Sequence, residues 1–189
     1  MSWRPFAAFF LAGAVFLDAA TPAHADSRSC WAAARKAVAS IELPKDALLV
    51  GSFRSPAGQY PAFSIDIMRQ GSRCHADWVA SEPKRPSIHF LLVAEDCAPG
   101  DRPMEFAFVA ALVDPATGRG GATSLSGRVS VELHEDAVVV DAVYGHPAVS
   151  RAGSGSYTRV DGPALSTLSR QIAFLRRVIS CPAAARSSR

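Results

Sequence analysis

The chain has 189 residues, 49% of them hydrophobic and 20% charged, with a formal net charge of +3. That length suits one domain with its own core. The basic excess is small and scattered: Lys84-Arg85 and Arg176-Arg177 are isolated pairs that read as solvated faces, so no nucleic-acid partner is expected.

Residues 1–25 read as a cleaved signal peptide. Arg4 gives a positive start, Phe6 to Leu17 is an almost uncharged apolar run, and Ala23-His24-Ala25 is a small-x-small cleavage site. The run is shorter than the ~20 residues that span a bilayer, and no later stretch is long enough either. The predicted destination is periplasmic or secreted. The predicted layout is a single α+β domain over residues 26–182, a flexible tail over 183–189, no membrane span after cleavage, and a monomer.

Ser27 to Ile41 reads as a helix, with Ser27 or Ser29 as cap, alanines that favour it, and Trp31, Ala34, Val38 and Ile41 at helical spacing. Pro44 ends it. Ala47 to Arg54 reads as a strand, Ser55 to Gly58 as a turn, and Ala62 to Arg69 as a second strand. In that second strand Phe63, Ile65 and Ile67 oppose Ser64, Asp66 and Met68.

A hairpin follows. Cys74, Ala76, Trp78 and Ala80 alternate with His75, Asp77, Val79 and Ser81, while Ile88 to Val93 is apolar on both faces, as in a covered strand. Between them the charged, doubly proline-broken Glu82-Pro83-Lys84-Arg85-Pro86 makes the turn. Folding about Lys84 sets Cys74 opposite residue 94 and His89 opposite residue 79.

Glu105 to Asp114 is short enough to read as a strand despite its alanines. Residues 114–121 read as a glycine-rich hairpin loop. Strands follow over Leu125 to Leu133, Val138 to Tyr144 and Ser156 to Val160.

Pro163 marks the start of a last helix, whose Leu165, Leu168, Ile172, Leu175 and Ile179 form one apolar stripe. Arg176 and Arg177 suit its C-terminal dipole, and Pro182 stops it. The elements predict an α+β domain: a bent antiparallel meander sheet of about seven or eight strands, flanked by an N-terminal and a C-terminal helix. The alternative is a closed barrel of lipocalin-like build with the same terminal helices, because eight strands can close and remove their edges.

Four cysteines, Cys30, Cys74, Cys97 and Cys181, with no Cys-x-x-Cys, favour disulfides over a redox motif or a zinc ribbon. The expected pairs are Cys74–Cys97, near the open end of the hairpin, and Cys30–Cys181, which antiparallel terminal helices would bring together.

No catalytic set, metal site or cofactor motif is expected. His75 and Asp77 share a strand face without an evident third ligand, and both read as solvated, as does His134 at a turn tip. There is no Gly-x-Ser-x-Gly elbow.

The loop from Tyr144 to Arg159 is the most promising contact region, through Tyr144, His146, Ser154, Tyr157 and Arg159. Its Ser154-Gly155-Ser156-Tyr157 resembles a piece of the inserting loop of periplasmic lysozyme inhibitors, whereas the long C-terminal helix departs from that family's plain sheet. The expected function is a non-catalytic secreted or periplasmic binding or protein-interaction module for a protein or small-molecule ligand. The alternative is a small-molecule or lipid carrier with an internal apolar cavity, and an enzyme ranks third.

Overall fold

The computed structural model describes residues 27–59, 61–97, 102–113, 120–145 and 152–181. The proposed signal peptide, most of the 114–121 loop, His146 and the tail lie outside them. In order come α1 (Ser27–Ala39), β1 (Ala47–Arg54), β2 (Ala62–Gln70), β3 (Arg73–Ser81), β4 (Ser87–Ala94), β5 (Met104–Val113), β6 (Gly120–Leu133), β7 (Ala137–Tyr144), β8 (Gly155–Val160) and α2 (Leu165–Ile179).

Each strand pairs antiparallel with the next, and β8 returns to β1 through Ser52–Val160, Phe53–Arg159 and Arg54–Thr158. The sheet is therefore a closed barrel of eight strands, the second of the two arrangements that the sequence allows. The β3–β4 register sets Cys74 against Ala94 and Val79 against His89. It is fixed by a turn in which Lys84 takes φ 63° and the Arg85 N–H donates to the Glu82 carbonyl at 3.2 Å.

β6 begins earlier than its alternation suggests. Gly120 and Gly121 pair with Val113 and Leu112, so the long partner strand extends the ladder through residues whose own pattern is weak.

Alternation decides the inside of the barrel. Phe63, Ile65 and Ile67 of β2 meet Ala76 and Trp78 of β3, Phe90 and Leu92 of β4, Phe106 and Phe108 of β5, and the inward valines of β6 and β7. A second core lies outside the wall. There Leu168, Ile172, Leu175 and Val178 of α2 pack with Met68, Leu91 and Ala111 of the barrel and with Trp31 and Ala34 of α1. The Trp31 ring meets Phe174 edge-on at 5.5 Å. The spacing of the α2 stripe thus finds a wall to bury against, which is the main source of stability for a helix this short.

Leu168→Ala should cost about 2–4 kcal/mol, as a buried large-to-small change. Arg170→Ala, on the exposed face, should cost under about 1 kcal/mol. Urea titration of both variants checks this, and equal small effects would mean an undocked helix.

Cys30 and Cys181 are bonded, with Cα atoms 5.9 Å apart, and join α1 to the end of α2. Cys74 and Cys97 are bonded at 5.4 Å and close the β3–β4 hairpin.

Candidate functional site

The antiparallel meander puts the β1–β2, β3–β4, β5–β6 and β7–β8 connections at one rim of the barrel. Of the candidate contact residues, Tyr144, Ser154 and Tyr157 lie on the side of that rim, but they serve the barrel itself.

Tyr144 and Tyr157 are 7% and 1% exposed, with their rings in the interior core. Their expected role as surface contacts is therefore corrected. The Tyr144 hydroxyl donates to the Ala152 carbonyl at 2.9 Å, and the Tyr157 hydroxyl donates to the Gly153 carbonyl. The Trp78 indole N–H donates to the Tyr157 oxygen at 3.1 Å. Burial pushes both phenols above the usual tyrosine range.

Gly153 takes φ +80°, and a Cβ there would run into Trp78 and Phe63. Residues 152–154 therefore fold inward over the rings, held by two tyrosine hydroxyls. Tyr144 continues the inward parity of Val138, Val140 and Ala142, which is why it belongs to the core. The likeness of Ser154–Tyr157 to an inserting loop stops at the letters, because Tyr157 faces inward.

The Ser154 hydroxyl accepts the Ala142 N–H at 2.9 Å. Arg159 lies at the opposite rim. Its Nε donates to the Glu135 carbonyl at 2.7 Å, its Nη1 to the Val50 carbonyl at 3.3 Å, and the guanidinium sits 4.9 Å from the centre of the Phe53 ring. It braces the β1–β8 seam. His146 lies outside the described residues.

The interior rings touch one another. Trp78 lies 4.7 Å from Phe90 and 5.5 Å from Phe63, and Phe108 lies 5.3 Å from Tyr144 and 5.4 Å from Phe90, between centroids. These side chains pack against one another across the described interior.

The outer wall corrects a second expectation. His75 and Asp77 point outward as the alternation requires, yet both are buried. Period two tells which face a residue takes, but not whether a helix lies over that face. The Asp77 carboxylate accepts from His89 Nδ1 at 2.9 and 3.0 Å. Directly across, on β2, stands Asp66, paired with Arg54 at 3.0 Å. The two facing carboxylates thus each have a basic partner, which is what allows them to be buried side by side. Asp77→Ala should cost about 1–3 kcal/mol by leaving His89 without its acceptor. A double-mutant cycle with His89→Ala measures the coupling, and additive effects would contradict the pairing.

Nearer α2, Arg176 Nη2 lies 2.9 Å from His75 Nδ1 and 3.1 Å from Nε2. Burial first, then the charges of Arg176 and Arg73, lower the His75 pKa to about 4, against a small opposing effect of Glu95. His75 is therefore neutral near pH 7. His134, by contrast, is exposed beside Glu132 at 3.6 Å. Among the described residues no group of three or more His, Cys, Asp or Glu is arranged to hold a metal ion.

One concavity lies at the loop-bearing rim. It measures about 460 Å³ and is lined by Ser55, Pro56, Ala57, Gly58, Gln59 and Ala62 from the β1–β2 side and by Ser81, Glu82 and Pro83 from the β3–β4 side. The sequence shows both turns but not that they face each other across a groove; that follows from the β2–β3 register, which sets Ala62 against Ser81. Comparison of the chain with protein-family models, with curated proteins and with solved structures gives no match.

Proposed function

We propose that this protein is a non-catalytic binding module of an oxidising compartment, periplasmic or secreted, that engages a protein partner with the rim groove between the β1–β2 and β3–β4 turns. The observation that carries this reading is the filled interior: Trp78, Phe90, Phe108 and Tyr144 stand in ring contact where a carried ligand would lie. Such packing favours binding on the outside of the barrel. The groove combines rigid prolines, small residues and the polar ends of Ser55, Gln59, Ser81 and Glu82, a mixture suited to an extended peptide segment. Two disulfides support an oxidising destination, and the proposed signal peptide would deliver the chain there.

The test is native mass spectrometry of the protein recovered from its own cell envelope, alongside an Ala57→Arg variant that puts a charge on the exposed lip of the groove. A stoichiometric protein adduct on the wild type, lost from the variant, is the expected result. A co-purified apolar small molecule, retained by both forms, would overturn the reading in favour of a carrier.

A further inference from the structure

The Cys30–Cys181 bond joins helix to helix, not helix to barrel. The stapled pair is connected to the barrel by the chain only at residues 40–46 and 161–164, and otherwise lies against the wall through side chains. Most of those contacts are apolar. One polar contact is that of His75, 5% exposed on β3, with Arg176 of α2.

The chemistry of that contact has one permitted state. A guanidinium only donates, so the imidazole nitrogen nearest Arg176 must offer a lone pair, and the ring must be neutral. A second proton would put cation against cation at hydrogen-bond distance. Among the described residues nothing near the ring offsets that fully. On its own strand, Arg73 adds a positive charge, though it is bridged to Glu95 at 2.7 Å, and Asp77 is engaged by His89. The residues opposite on the neighbouring strands, Met68 of β2 and Val93 of β4, are apolar.

We propose that His75 and Arg176 form an acid-sensitive latch, and that protonation of His75 loosens the stapled α1–α2 pair from the barrel wall, uncovering the apolar strip of Met68, Leu91, Val93 and Ala111. The latch is independent of the rim groove, so it stands or falls apart from the binding reading.

The sign follows from linkage. In the closed state burial and the Arg176 guanidinium lower the His75 pKa to about 4, whereas an uncovered histidine titrates at its ordinary value of about 6.5. The open form therefore takes up the proton first, and the closed form loses ground as pH falls below about 6.5, until both forms are protonated below about 4. These two values imply an opening constant about 30-fold larger at pH 5 than well above pH 6.5.

Hydrogen exchange of the intact protein, corrected for intrinsic rates, reads this directly. The α2 amides should show roughly a 30-fold rise in opening between pH 7.5 and pH 5, with the β2–β4 amides unchanged. His75→Gln keeps a neutral acceptor for Arg176 at every pH and should abolish the rise. An unchanged α2 at pH 5, or the same rise in His75→Gln, would overturn the latch. In the wild type, the His75 ring signal of the closed protein followed by NMR should titrate well below pH 6.5, so the outcome does not depend on how well the variant folds. A ring that titrates near pH 6.5 while α2 stays closed would likewise overturn it.

Discussion

Trp78→Ala should destabilise the protein by about 3–5 kcal/mol, the largest loss expected from any single side chain. Trp78 is fully buried and contacts Phe63, Phe90, Phe108 and Tyr144. Its truncation removes transfer energy and leaves a void that ladder-bound strands cannot collapse around. It also strips the Tyr157 hydroxyl of its donor, and that hydroxyl anchors the Gly153 carbonyl. Tyr157→Phe isolates the polar part and should cost only about 1 kcal/mol. Urea unfolding at pH 7.5 measures both. A Trp78→Ala loss under about 1 kcal/mol would mean that the interior is not packed around this ring.

The second large effect concerns the disulfides. The Cys30–Cys181 bond closes a separation of 151 residues and the Cys74–Cys97 bond one of 23. On the chain-entropy model these restrict the unfolded chain by about 5 and about 3 kcal/mol respectively. Replacing Cys30 and Cys181 by alanine should therefore lower stability more than the same change at Cys74 and Cys97, provided local repacking at the two sites is similar. The ordering has a structural counterpart. Without the long-range bond, the end of α2 keeps Trp31 and Ala34 as neighbours but loses its covalent tie to α1. Equal losses, or peptide mapping under non-reducing conditions that finds Cys30 joined to Cys74 or Cys97, would contradict this arrangement.

The parts of the fold that depend on local pattern were legible in the sequence. The three-four spacing of Leu165, Leu168, Ile172, Leu175 and Ile179 marks α2, and period two marks the inward faces of β2, β3 and β7. Closure was harder to read. It rests on the short pairing of Ser52–Arg54 with Thr158–Val160, far apart in the chain and without a pattern of their own. The same gap explains the outer wall. The alternation places His75, Asp77 and Asp66 on one face, but only the tertiary position of α2 says that part of this face is covered. The rim tyrosines show the reverse case. Their Ser- and Gly-rich surroundings suggest a contact loop, while the parity of Tyr144 with Val138, Val140 and Ala142 carries the correct inward assignment.

Whether the barrel binds on its outside or carries a ligand within is tested most directly by titrating the purified protein with a fluorescent fatty acid at pH 7.5, where the α1–α2 pair is closed. A lumen filled by Trp78, Phe90, Phe108 and Tyr144 predicts no saturable binding and no quenching of Trp78 emission. Saturable one-to-one binding that quenches this tryptophan and is displaced by unlabelled fatty acid would contradict the filled lumen and, with it, the assignment of binding to the rim.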